Sequence, residues 1–413
     1  MQATWLPLFL GLYAVEQTAD VGLTALNLWH ARRCRGVPEG LEGLLDPAVA
    51  ERSRAYAIAA GWVQLWRGLA SAALTAALLG SGVLPWLDAQ LAARIEGDAH
   101  RFVLFLVPVT VTLWAADLPF AAWRLFGVER RFGFSKAGPL QFLADRLRAW
   151  TATAAVGIPF LYAVHLAMSA GGQSWWLWVF AMLAFVQVSL TWVWPNLVAP
   201  RLVPHHPLPP SPLRDRLDAL ARAAGFRPAA ILVVDRGGHA NAGLAGLLRP
   251  RILLDRALLQ RLSEDEVVAV VAHELGHHRL HHVALRLAGS LASLLLLLLA
   301  LDAALRWPAL YAAFGFAGPS PHAALALVSL GSGAVAFWLF PVYAWLARRQ
   351  ETAADAEAVA LMGRPELLGA ALIDLAEDNL TNPWPHPWTV AWRFTHPPLL
   401  TRLIDLEAAA AEP

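Results

Sequence analysis

Residues 149–200 read AWTATAAVGIPFLYAVHLAMSAGGQSWWLWVFAMLAFVQVSLTWVWPNLVAP, a run with no Asp, Glu, Lys or Arg. The hydrocarbon core of a bilayer takes roughly 20 mostly apolar residues per helical span. This run therefore holds two spans, with Gly171-Gly172-Gln173-Ser174 as the turn between them. Further candidates lie on either side. Gly68–Leu87 and Ala323–Ala347 are uncharged, and Phe102–Trp123 carries only Asp117. Trp5–Trp29 includes Glu16 and Asp20, and Val283–Leu305 includes Arg286 and Asp302 near its ends. The expectation is seven spans. No basic residue precedes the first apolar run and no small-residue cleavage site follows it, so that run reads as a retained span.

Composition agrees. Of 413 residues, 57% are hydrophobic and 15% charged, with a mean hydropathy of +0.48. A soluble domain carries about 25% charged residues, so a water-soluble globule is excluded, as are a disordered or collagen-like chain. A net charge of +1 supplies no basic stripe for nucleic acid. Cys34 is the only cysteine, which excludes an intrachain disulfide or a cysteine zinc cluster. Lys136 is the only lysine among 32 basic residues. That is the bias of a GC-rich bacterial genome, and the expected location is a bacterial inner membrane.

Arginine placement orients the spans. With the N-terminus outside, the cytoplasmic segments are 31–66, 124–148, 201–282 and 348–413, and the outer loops keep only Arg94, Arg101 and Arg306. This is the asymmetry of the positive-inside rule. Trp150, Trp175, Trp176, Trp192 and Trp194 fall near span ends, where an aromatic belt belongs. Glu16, Asp20, Asp117 and His165 lie within spans, and Glu16 and Asp20, four apart, share a helix face. They read either as a polar pair near the bilayer boundary or as lining of a water-filled chamber. The expected organisation is 1–200 with five spans, 201–282 as a soluble insertion, 283–347 with two spans, and 348–413 as a cytoplasmic C-terminal segment.

The insertion changes character. After a proline-rich linker, Pro204 through Pro212, comes a helix-like run, Leu213–Ala224, then two runs of strand length, Ile231–Val234 and Ile252–Leu254. Ser263-Glu264-Asp265-Glu266 is a capping box opening a helix that carries His273-Glu274-Leu275-Gly276-His277. Histidines at i and i+4 project from one helix face and reach a single ion, and zinc suits neutral imidazole. Glu274 then stands as general base toward the water that such an ion activates. His278, His281 and His282 make accidental pairs conceivable, but only the 273–277 register has Glu after its first histidine. Those three read as solvated or interfacial residues.

A third ligand is needed. Leu280 and Val283 occupy the positions that a metzincin continuation reserves for Gly and His, which excludes that class. Glu351 is the leading candidate, with Asp355 at i+4 placed to hold the free N–H of a ligating histidine. Alone, Glu351 reads more readily as a solvated glutamate on a surface helix. Topology favours the ligand, because two antiparallel spans after the His273–His277 helix return the chain to the same membrane face.

Taken together, the sequence resembles the integral-membrane zinc metallopeptidases typified by the type-1 CAAX prenyl protease, of the gluzincin kind. The resemblance is carried also by Arg52-Ser53-Arg54-Ala55-Tyr56, Gly127-Val128-Glu129-Arg130-Arg131-Phe132-Gly133-Phe134 and Pro195-Asn196-Leu197-Val198-Ala199-Pro200. It continues in His239-Ala240-Asn241-Ala242, Asp378-Asn379-Leu380 and Thr395-His396-Pro397-Pro398-Leu399-Leu400-Thr401-Arg402. It implies a mainly α polytopic fold: seven transmembrane helices around a hydrated chamber, with a small α+β zincin-like catalytic domain on the cytoplasmic side. It implies one zinc per chain on His273, His277 and Glu351, with Glu274 as base and Asp355 supporting a ligand. It places Asn241 and Ala242 on a substrate-binding edge strand, and His396 and Arg402 beside the metal, where they steady an oxyanion. The implied partners are the bilayer and a peptide or protein substrate, membrane-associated or lipidated. Gly243 stands where the family has tyrosine, and Gly237-Gly238 where it has a basic-serine pair, so peptide preference stays open. Rival readings are a shorter heat-shock-type quality-control protease and, in another class, a zinc transporter or metal-binding membrane protein.

Overall fold

The computed structural model describes residues 5–193, 204–235, 241–245 and 251–411. The expectations attached to Trp194, Pro195–Pro200, Gly237-Gly238 and His239-Ala240 lie outside the described residues, as does the side chain of Trp192.

Alanine- and leucine-rich apolar runs favour helix, and helices dominate. In chain order they are α1 (Trp5–Arg33), α2 (Pro47–Gly80), α3 (Val83–Arg94), α4 (Asp98–Ala122), α5 (Pro139–Ala170) and α6 (Trp175–Val193). There follow α7 (Pro212–Ala223), α8 (Arg256–Arg261), α9 (Glu264–Arg279), α10 (His282–Leu305), α11 (Pro308–Ala313) and α12 (Pro321–Met362). The last are α13 (Pro365–Asp378), α14 (Pro387–Arg393) and α15 (Leu399–Ala411). Five helices among the described residues are long and apolar enough to cross a membrane: α4 with its π-helical continuation to Glu129, α5, the Gly172–Thr191 helix, α10 and α12. The α2–α3 pair makes a sixth if it counts as one span. α1, with Glu16 and Asp20, is not among them.

The expected continuous span Gly68–Leu87 is corrected. α2 stops at Gly80 and α3 starts at Val83, bent by 52°. Gly82 takes a φ of 79°, a left-handed conformation that glycine adopts without steric cost and that ends the helix. The Ser81 hydroxyl accepts the Val83 amide across the break. A lack of charge conceals such a break, because it depends on the backbone conformation of Gly82 and not on polarity.

The chain divides into two compact units. One comprises Met1–Ala25, Ala60–Phe185 and Ser290–Leu339. Phe102, Phe105, Tyr311, Leu84 and Trp175 are buried in its core, and Trp175 Nε1 donates to Asp302 Oδ1 at 2.9 Å. Large apolar side chains nevertheless point outward, Val156 at 73% exposed and Phe185 at 72%. That suits helices whose solvent is lipid. The same unit contains a half-open cavity of about 740 Å³ lined by Gln17, Asp20, Gln64, Arg67 and Asp117 among others, with Arg67 paired to Asp117.

The second unit comprises Leu26–Ala59, Val186–Gly289 and Phe340–Pro413. Its sheet has the order β1-β2-β4-β3. β2 (Ile231–Val234) and β4 (Arg251–Asp255) are parallel neighbours, and β1 (His205–Pro207) lies antiparallel to β2. β3 (Ala242–Ala245) is an edge strand antiparallel to β4, with Ala242 opposite Leu254. Leu217, Ile252, Leu254, Leu258, Val267, Val271 and Leu275 form the core between sheet and helices. The capping box forms as expected: Ser263 Oγ accepts the Glu266 amide, and Glu266 Oε2 accepts the Ser263 amide. It opens α9, which packs on α7, α13 and β3.

α9 also crosses α12, at Gly276. A Cβ there would lie 2.9 Å from the Ala354 carbonyl oxygen and 3.2 Å from its Cα. Both obstacles are backbone, so only glycine permits this approach. Gly276→Val should therefore force α12 away from α9, at about 1–3 kcal/mol for overpacking. The expected result is a lower melting temperature in detergent together with lost metal content; a variant that keeps both contradicts this packing.

Candidate metal centre

α9 brings His273 and His277 to one face by their four-residue spacing, with ring centroids 4.7 Å apart. α12 continues beyond the uncharged run ending at Ala347 and carries Glu351 and Asp355 into the interior, 1% and 2% exposed. Carboxylates are almost never this deeply buried without partners, and here the partners are specific. His273 Nε2 lies 3.5 Å from Glu351 Oε2, and His277 Nε2 lies 3.3 Å from Glu351 Oε1. The ligand-capable atoms of His273, His277 and Glu351 all fall within 4.8 Å of one another.

Each imidazole is held from behind. His273 Nδ1 sits 2.7 Å from Asp355 Oδ1. Asp355 in turn accepts two bonds from the Arg402 guanidinium, Nε to Oδ2 at 2.8 Å and Nη2 to Oδ1 at 2.6 Å. His277 Nδ1 is 2.7 Å from His282 Nδ1. With both Nδ1 atoms engaged, both Nε2 atoms face Glu351. Arg286 Nη2 donates to Glu351 Oε1 at 3.2 Å while its Nε donates to Gln350. His396 Nδ1 approaches Glu351 Oε2 to 2.8 Å, without the angles of a hydrogen bond, so that buried oxygen has no hydrogen-bond partner among the described residues.

The electrostatics favour positive charge at this point. Burial lowers the pKa of His273, but the hydrogen bond to Asp355 and then the nearby Glu351 carboxylate outweigh it and push the imidazole up to about 9. Glu274 is raised above the ordinary carboxylate range, chiefly by burial. Two imidazole nitrogens and a carboxylate, with a buried oxygen unsatisfied and the outer nitrogen of each ring engaged by a neighbour, are a donor set that fits zinc.

Asn241 and Ala242 lie at the start of the edge strand. The Asn241 side chain accepts the Ala242 amide at 2.9 Å, and its carbonyl accepts the Asp255 amide at 3.0 Å. His396 has a side chain 65% exposed. Arg402 directs its charge-assisted bonds to Asp355, behind His273. Sequence reasoning overlooked His282 and Arg286. His282 is buried, not solvated, because His281 takes a φ of 56° and turns the chain back toward α9. Histidine, with asparagine and aspartate, tolerates that left-handed conformation better than most residues. One helical turn further, Arg286 reaches Glu351.

Comparisons with known proteins give the family and the fold. The family described as "CAAX prenyl protease N-terminal, five membrane helices" matches residues 27–203, and "Peptidase family M48" matches residues 207–410. The CAAX prenyl protease 1 homolog of Oryza sativa subsp. japonica is 30% identical over 387 residues, covering 90% of each chain. The homolog of Homo sapiens is 26% identical, covering 90% of this chain and 88% of that protein. The crystal structure of S. mikatae Ste24p superposes with a TM-score of 0.89 at 23% identity, covering 98% of this chain and 99% of that one. The chain thus belongs to the M48 peptidase family, on the side of the CAAX prenyl protease 1 homologues, and is a membrane metallopeptidase.

Proposed function

We propose that His273, His277 and Glu351 hold one zinc ion, that Glu274 is the general base, and that the enzyme hydrolyses peptide bonds of membrane-associated or lipidated peptides. The convergence of both Nε2 atoms on Glu351, with Glu274 adjacent in sequence to His273, carries this reading. Zinc, when bound, supplies Lewis acidity that eases ionisation of water and polarises a carbonyl. Glu274 takes the proton from the attacking water and passes it to the departing amine nitrogen. Its raised pKa keeps it a competent donor in that second step. Asp355 fixes the orientation of His273, and Arg402 acts through Asp355 as a positioning residue. His396, exposed and beside Glu351, is placed to donate to a developing oxyanion.

The edge of β3, unpaired by any strand among the described residues, suits capture of an extended peptide by strand addition, with Asn241 and Ala242 at its start. The lipidated class of substrate is suggested by relatives whose names specify a CAAX prenyl protease. We further propose seven spans with the N-terminus outside and the catalytic residues on the cytoplasmic side, supported by the arginine asymmetry. The cavity that Asp20, Arg67 and Asp117 help to line supports a hydrated chamber, and the arginine-for-lysine bias supports a bacterial inner membrane. A transporter would have no use for a carboxylate base beside its ligand or for an open strand edge.

Glu274→Gln should lower peptide turnover at least about a hundredfold while metal analysis still finds close to one zinc per chain. Retained turnover contradicts the assignment. Asp355→Asn should weaken zinc affinity by roughly 10- to 100-fold, read by chelator competition. Imidazoles must shed protons to bind metal, so zinc affinity falls as pH falls. The raised pKa of His273 starts that competition at a higher pH than an ordinary histidine would. Zinc retention unchanged between about pH 8 and about pH 5 contradicts the ligand set.

A further inference from the structure

The second unit contains a pocket of about 970 Å³ that the peptidase reading does not use. That size is at the upper end of the roughly 300–1,000 Å³ typical of small-molecule sites. Its lining is mostly apolar, including Leu41, Leu45, Trp345, Trp384, Val390 and Leu399, and includes none of His273, Glu274, His277, Glu351 or Asp355. α12 presents Glu351 and Asp355 on one face and Trp345, Thr352 and Ala356 on another, as the helical period requires.

Four formal charges line the pocket: Arg348, Arg349, Glu39 and Glu377. Two are already engaged. Arg348 Nη1 donates to the Val390 and Phe394 carbonyls at 2.8 and 2.6 Å, and Glu377 Oε1 accepts the Asp46 amide at 2.8 Å. Arg349 and Glu39 are exposed and have no ion-pair partner among the described residues. One open cation and one open anion therefore border an apolar cavity. The level of this lining is also marked. The Arg349 guanidinium lies 5.0 Å from the Trp345 ring, just past the end of the uncharged run 323–347. On α1, which contributes His30 to the same lining, Arg33 stacks 4.1 Å from Trp29. Tryptophan and arginine at the end of an apolar helix belong at the headgroup layer.

We propose that this pocket binds a zwitterionic phospholipid of the bilayer, with an acyl chain among the apolar side chains, its phosphate at Arg349 and its ammonium at Glu39. Pro397–Thr401 forms part of the wall, and this segment joins His396 to Arg402. A bound lipid therefore braces the link that sets both side chains, without contacting the metal ligands.

The test uses the full chain in a non-ionic detergent micelle with a phosphatidylethanolamine bearing a diazirine in one acyl chain. After photolysis, mass spectrometry should place the label within residues 38–53, 345–356 and 383–401. Ala356→Trp, which fills the pocket, should abolish that labelling. Arg349→Glu should lower it about tenfold, the effect of reversing one charge at a headgroup. Glu39→Lys should switch preference from phosphatidylethanolamine to phosphatidylglycerol, which a purely structural role for Glu39 would not do. Labelling needs no peptidase activity, so its outcome stands apart from the proposed function. Label spread over the exposed faces of the spans and indifferent to these substitutions overturns the proposal. Displacement by a lipidated peptide but not by unlabelled phospholipid also overturns it, and assigns the pocket to substrate.

Discussion

The site rests on the crossing of two helices at a residue with no side chain. Gly276 lets α9 approach the α12 backbone at Ala354, so that Glu351 and Asp355, flanking that point, reach the imidazoles of His273 and His277. The i, i+4 spacing sets the two histidines; the helix crossing sets the carboxylates. Neither element alone provides more than a surface pattern.

Placing two carboxylates at the bottom of such a contact is costly unless each is matched. An unpaired buried charge is destabilising by several kcal/mol, and each of these has a designated counterpart. Asp355 takes the Arg402 fork on one side and the His273 ring on the other. Glu351 meets two imidazole nitrogens and Arg286, and keeps one oxygen free of any hydrogen bond among the described residues. The outer partners carry much of the specificity, since they decide which ring nitrogen of each histidine faces inward. Arg402 comes from α15, and His282 and Arg286 from the first turns of α10, so removal of any one changes how an imidazole or Glu351 is held and not merely the stability of the fold.

What the sequence disclosed followed the range of the interaction. The capping box at Ser263–Glu266, the strands at 231–234 and 251–255 and the histidine pair are local patterns, and each appears where its spacing places it. The nearness of Glu351 to the two histidines was legible because two spans constrain where the chain returns. The break at Gly80–Gly82 was not, because an uncharged run reads as continuous until backbone angles interrupt it. His282 was lost among neighbouring histidines, since only the left-handed turn at His281 distinguishes it from a solvated residue. The partner of Arg402 lies on another helix, 47 positions earlier in the chain, and no periodicity reports which carboxylate a guanidinium will choose.

Anomalous X-ray diffraction at the zinc absorption edge, from crystals of the full chain, addresses the centre most directly. The account predicts a single strong peak about 2.0–2.2 Å from His273 Nε2, His277 Nε2 and a carboxylate oxygen of Glu351. A peak held by other side chains, or zinc bound with Glu351 turned away, would contradict it.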